Sequence, residues 1–215
     1  MNIKSETQSK RKFLGYFLLL GGSSSCIIID WNYGSLCLDY GIDDQIVIPV
    51  NSELGYVRAG ICVDIDLTSD SQVTNDIEIP VYADYQGDLL TNICIEIDLW
   101  ISAVDITKTQ EPTVEGEEYK SLNQTTQLAR KLIGYVTATG HGIIICDIDM
   151  LRMCENYNDY VNSQITIPPD GEIIGFRVGV LAEIQLDDKE FPVYGEYKDD
   201  SIKRIIIEIT HPTEA

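Results

Sequence analysis

Carboxylates recur two residues apart in this chain, as Asp64-x-Asp66, Glu96-x-Asp98 and Asp147-x-Asp149, and Asp43-Asp44 are adjacent. In an extended segment, residues i and i+2 share one face, so each pair presents two carboxylates together. Oxygen-rich sites at strand ends and loops could hold Ca2+, which takes about six to eight oxygen ligands. The six residues Asp64, Asp66, Glu96, Asp98, Asp147 and Asp149 are therefore the candidate metal ligands. The competing reading is a solvated outer face whose charge blocks edge-to-edge pairing of sheets. No EF-hand loop or Ca2+-binding nonapeptide repeat accompanies them.

Other chemistry has less to stand on. His141 lies in Gly140-His141-Gly142, which reads as a hairpin turn, and His211 precedes Pro212 near the C-terminal end. A catalytic histidine needs a positioned partner within hydrogen-bond reach, and the sequence proposes none. Ser23-Ser24-Ser25 reads as a turn, without the Gly-x-Ser-x-Gly elbow of a serine hydrolase. The six cysteines, Cys26, Cys37, Cys62, Cys94, Cys146 and Cys154, show neither Cys-x-x-Cys nor zinc-ligand spacing. They are expected as free, partly buried thiols, since a chain of this size does not need covalent staples. No catalytic residue and no cofactor is assigned, Ca2+ apart.

The charge balance bounds the partners. Thirty-five acidic and fifteen basic residues leave a formal net charge of −20. Nucleic acid is a poor partner for such a chain, because phosphate binding needs a basic surface, and an anionic membrane is equally poor. The charge serves solubility, or it meets a basic partner or a divalent cation.

These groups must be positioned by strands. From Val57 to Leu67, Val57, Ala59, Ile61, Val63, Ile65 and Leu67 alternate with Arg58, Gly60, Cys62, Asp64 and Asp66. From Phe176 to Leu186, Phe176, Val178, Val180, Ala182, Ile184 and Leu186 alternate with Arg177, Gly179, Leu181, Glu183 and Gln185. Ile93, Ile95, Ile97 and Leu99 alternate with Cys94, Glu96 and Asp98. Period two with one apolar side marks antiparallel strands with one face packed. Turns are marked by Pro49-Val50-Asn51-Ser52, Gln86-Gly87-Asp88, Pro168-Pro169-Asp170-Gly171 and Lys198-Asp199-Asp200. Helix is confined to a turn or two within Tyr119–Leu128 or Met150–Tyr157.

The chain also resembles itself. Arg11-Lys12-Phe13-Leu14-Gly15-Tyr16 returns 119 residues later as Arg130-Lys131-Leu132-Ile133-Gly134-Tyr135. At that offset Gly21 meets Gly140, Asp30 meets Asp149, and Arg58 and Gly60 meet Arg177 and Gly179. After a loop the offset is 112: Pro80-Val81-Tyr82 meets Pro192-Val193-Tyr194, Tyr85 meets Tyr197, and Glu96 meets Glu208. Such a collinear match reads as an internal tandem duplication. It also decides a lookalike. Lys10-Arg11-Lys12 followed by the apolar run Phe13–Leu20 imitates a signal peptide. The second copy lies deep inside the chain, so both are expected as first strands, with no cleaved signal peptide and no transmembrane helix.

The expected architecture is all-β: two tandem homologous β-sandwich domains, Ig-like or jelly-roll-like. The first covers 1–106 with a polar N-terminal arm, 1–10, expected to dock on a neighbour. A linker covers 107–127, and the second domain 128–215. Proline confines the two Pro-Val-Tyr strands to a sheet edge or a strand start. Tyr82, Tyr85, Tyr194 and Tyr197, with Arg58 and Arg177, are the candidate interface residues, because aromatic groups with a polar end suit partly wet boundaries. The function that fits is a non-enzymatic structural subunit of a virion, filament or surface assembly, as a homo-oligomer or with other protein subunits. The rival is a Ca2+-dependent module that binds carbohydrate or protein.

Overall fold

The computed structural model describes residues 9–21, 25–32, 45–50, 55–65, 76–99, 101–102, 128–138, 142–147, 165–166, 173–176, 179–182, 184 and 189–209. Fourteen strands fall in these stretches. They are β1 (Ser9–Leu19), β2 (Ser25–Asp30), β3 (Gln45–Val50), β4 (Gly55–Asp64), β5 (Ile77–Gln86), β6 (Leu89–Glu96) and β7 (Ile101–Ser102). The rest are β8 (Ala129–Ala138), β9 (Ile143–Asp147), β10 (Ile165–Thr166), β11 (Ile173–Phe176), β12 (Gly179–Ala182), β13 (Lys189–Lys198) and β14 (Ser201–Glu208).

All pairings are antiparallel and form two seven-stranded sheets. The first runs β1-β5-β6-β14-β13-β8, with β7 added to β5. The second runs β10-β11-β12-β9-β2-β4-β3. One apolar cluster lies between them. The first sheet contributes Phe17, Ile79, Val81, Ile95, Phe191 and Ile205, and the second Ile28, Ile61, Ile145 and Val180. β-Branched side chains dominate it, as a pleated and half-buried surface favours.

The two sandwiches in series expected from the repeat are not what the pairing shows. Each sheet takes strands from both ends of the chain: β6 pairs with β14 in one, and β2 with β9 in the other. The physical reason lies in the strand edges. A three- or four-stranded half sheet would leave unpaired N–H and C=O groups along β6 and β2, and the other half supplies the complementary edges. The proposed linker, 107–127, lies outside the described residues.

Both seams are centred on one residue pair. Across β2–β9 the partners run from Cys26↔Asp147 to Asp30↔Ile143, with Ile28↔Ile145 in the middle. Across β6–β14 they run from Asn92↔Glu208 to Glu96↔Arg204, with Cys94↔Ile206 in the middle. The ladders on either side match as well. Phe13↔Tyr82 and Gly15↔Val81 enclose a bulge at Leu14; Leu132↔Tyr194 and Gly134↔Val193 enclose one at Ile133. A local two-fold axis thus passes through both sheets.

The register changes one sequence alignment. Val63 pairs with Cys26, and Ala182, 119 residues further on, pairs with Ile143. The counterpart of Asp30 is therefore Asp147, two residues earlier than the uniform offset suggests. The difference of two falls between the first strand and the second. Both aspartates are fully buried.

Proline also sits elsewhere than its chemistry suggested. β5 and β13 are interior strands, and Pro80 and Pro192 pair with Tyr16 and Tyr135. The ladders on the other side end at Val81↔Ile95 and Val193↔Ile207. Each proline lies one residue beyond that end, so its missing N–H costs no ladder bond. At the β4 crossing, a Cβ on Gly60 would run into the Ile28 carbonyl oxygen and lie 2.9 Å from Ile29 Cα. The close approach of β2 and β4 thus requires glycine there.

The alternation read from sequence holds for Ala59, Ile61, Val63 and Ile65, all buried, against exposed Asp64. It fails for Leu181, expected outward but only 3% exposed. Ile27, Ile29 and Ile144, on the same outer side of the second sheet, are fully buried too. The described residues of β2, β9 and β12, in the middle of that sheet, are thus covered on both faces. Among the described residues, no helix is long and apolar enough to cross a membrane.

Candidate functional site

The outer face of the first sheet differs from that of the second. Six residues follow one another across its strands: Phe13, Tyr82, Cys94, Ile206, Tyr194 and Leu132. Cross-strand partners project from the same face, so these form one apolar and aromatic row across the local axis. A charged row flanks each side. Arg11, Asp84, Asn92 and Glu208 follow one another on one side, and Arg130, Glu196, Arg204 and Glu96 on the other.

Arg11 and Arg130 reach across the central row. Arg11 forks onto Asp84, with Nε donating to Oδ1 at 2.6 Å and Nη2 to Oδ2 at 2.9 Å. Its Nη1 donates to Glu96 Oε1 at 2.7 Å, on the far side of the row. The Arg11 guanidinium stands 5.4 Å from the Tyr82 ring centre. Arg130 does the same from the other end: 4.0 Å from the Tyr194 ring centre, with Nη2 donating to Glu208 Oε2 at 2.7 Å. Arg204 adds Nε to Glu96 Oε2 at 2.8 Å and Nη1 to Glu196 Oε2 at 3.1 Å. Planar guanidinium groups suit both tasks, two-pronged bonding to carboxylate and stacking on an aromatic ring.

Charge-state effects follow from this geometry. The hydrogen bond to Asp84 raises the Arg11 pKa despite burial, which opposes it. Burial also works against the charge on Arg204, but the hydrogen bond and charge of Glu96 outweigh it. Cys94, 2% exposed, donates from Sγ to Asp84 Oδ2 at 3.2 Å. Burial first, and the Asp84 charge second, push its thiol well up, so it stays protonated and a poor nucleophile.

The four described candidate metal ligands, Asp64, Glu96, Asp98 and Asp147, do not converge. Asp64 is exposed on β4 and accepts from Ser25 Oγ at 2.9 Å. Glu96 is held by two arginines. The strand ends at Glu96 and turns through a 3-10 turn at Ile97–Leu99, so Asp98 leaves the face of Glu96 and pairs with Lys203 Nζ at 3.0 Å. Asp147 is buried at the end of β9, where it accepts from the Leu20 N–H at 3.2 Å. Asp66, Asp149, Asp43, Asp44, His141, His211, Cys37 and Cys154 lie outside the described residues. Among the described residues, no group of three or more His, Cys, Asp or Glu could hold a metal ion. The four described cysteines form no disulfide.

The candidate interface residues divide. Tyr82 and Tyr194 lie in the central row. Tyr85 and Tyr197 pack against the core cluster instead, at the ends of the hairpin strands. Arg58, on the second sheet, reaches the first: its guanidinium stands 5.0 Å from the Tyr135 ring centre and donates to Glu190 Oε1 at 3.2 Å. Arg177 and the N-terminal arm before residue 9 lie outside the described residues.

Arg11, Arg130, Arg204 and Glu196 were not singled out from sequence as site residues. A signal existed: Arg11 and Arg130 match at one offset and Glu96 and Glu208 at the other. Which strands lie between them is knowledge only the sheet order supplies. No protein-family description, curated protein or solved structure matches the chain.

Proposed function

We propose that the chain is a non-enzymatic structural subunit, an internally duplicated β-sandwich that works through contacts with other protein subunits. The observation that supports this is the outer face of the first sheet. There tyrosines and arginines surround an apolar row, and Leu132 stands 49% exposed. Tyrosine and arginine are among the residues enriched where proteins bind one another, because they bury large area around a fixed polar group. Their ion pairs are already formed in the chain, so little ordering is left to be done on association.

The rival, a Ca2+-dependent carbohydrate- or protein-binding module, has no observation in its favour among the described residues, since Glu96 and Asp98 are engaged by arginine and lysine. Size-exclusion chromatography with light scattering, with and without Ca2+, tests the choice. The expected result is a mass above the 24.1 kDa of the chain, rising with concentration and indifferent to Ca2+. A chain that stays at 24.1 kDa at every concentration and in every partner-free buffer, and gains thermal stability from millimolar Ca2+, overturns the proposal.

A further inference from the structure

We infer that the occupant of the outer face of the first sheet is a second copy of this chain, docked face to face and closing at a dimer. This rests on the structural-subunit reading and sharpens it, because a dimer is a finite assembly and a filament is not.

Charge argues for a second copy over a basic partner. A chain carrying −20 repels itself over most of its surface. The two charged rows of this face hold three arginines against four carboxylates, Asp84, Glu96, Glu196 and Glu208, and every one of these groups is in a hydrogen bond with a group of opposite charge. These two rows thus add only one negative charge of the twenty. A basic protein would gain little from these rows, while a second copy meets a nearly balanced pair of them.

Area and symmetry point the same way. Six strands about 4.8 Å apart, with residues rising about 3.3 Å along strands some ten long, give a face on the order of 900 Å2. A standard interface takes about 800 Å2 from each partner. The same patch on both copies makes an isologous contact, which is satisfied at two and does not propagate. Head-to-tail growth would need a second complementary sheet face. On the outer side of the other sheet, Ile27, Ile29, Ile144 and Leu181 are already buried within the chain.

The test uses the full chain and sedimentation velocity over a wide concentration range. Wild type is expected to pass from one to two chains and no further. Leu132→Glu, which places a charge at an exposed point of the central row, is expected to weaken the dimer at least about tenfold. Asp64→Lys, on the other sheet, is expected to leave it unchanged. Both should melt within a few degrees of wild type. If Leu132→Glu fails to fold, Leu132→Cys, folded first and then carboxymethylated, reads the same contact against wild type treated alike. Assembly that survives both changes, or that grows past two chains, overturns this inference and leaves the subunit reading standing. A wild type that never associates overturns it as well, and the subunit reading falls with it only if millimolar Ca2+ stabilises that monomer.

Discussion

The two ends of the central row are related by the local axis, yet they are not equally held. At one end Glu96 sits between Arg11 and Arg204, with its side chain 5% exposed. At the other, its counterpart Glu208 is bonded by Arg130 and is 40% exposed. Two substitutions separate the rows: Glu196 stands where the other half has Asp84, and Arg204, which supplies the second bond to Glu96, where it has Asn92. The same backbone register therefore supports a linked chain of five charged groups on one side and a looser pair on the other. Register places side chains, and side-chain identity then decides how much energy a site holds.

The largest expected effect comes from removing the shared acceptor. Glu96→Gln removes the charge that two partly buried arginines share, leaving Arg11 with Asp84 and Arg204 with Glu196, and should cost about 3 kcal/mol in urea unfolding, at the lower end for breaking a buried pair. Glu208→Gln should cost less than about 1 kcal/mol, in the range of exposed pairs. Equal costs would break the comparison. A smaller contrast is expected between Arg11→Met and Arg130→Met, about 2 against about 0.5 kcal/mol. The Arg11 loss should persist in high salt, while the Arg130 loss fades as the exposed pair is screened. The smallest effect is a gain. Asn92→Arg restores the missing guanidinium opposite Glu208 and should add about 0.5 kcal/mol. A loss of stability there would show that the two ends differ in backbone as well as in side chain.

Much of the local structure was legible. Ala59, Ile61, Val63 and Ile65 announce their buried side by period two, and Gln86-Gly87-Asp88 and Lys198-Asp199-Asp200 announce their turns. Gly87, Asp199 and Asp200 indeed adopt positive φ, at 66°, 50° and 64°. The assembly of strands into sheets was not legible, because period two says which side of a strand is apolar and nothing of which strand lies beside it. That gap explains two departures: half sheets from the two repeats join, and Pro80 sits inside a sheet but past a ladder's end. Glu96 and Asp98 part company for a local reason, because the strand stops between them. The same gap hid the candidate site. Arg11 and Glu96 are 85 residues apart and meet only because β5 lies between their strands.

At the axis through Cys94 and Ile206, two identical halves would force each position to face itself. Any residue chosen there would have to tolerate its own reflection, and an arginine at position 204 would bring a like-charged twin at 92. Because both halves here belong to one polypeptide, that obligation is lifted. A thiol can face an isoleucine, one arginine can serve two glutamates without a double, and the symmetric frame is free to carry an asymmetric surface.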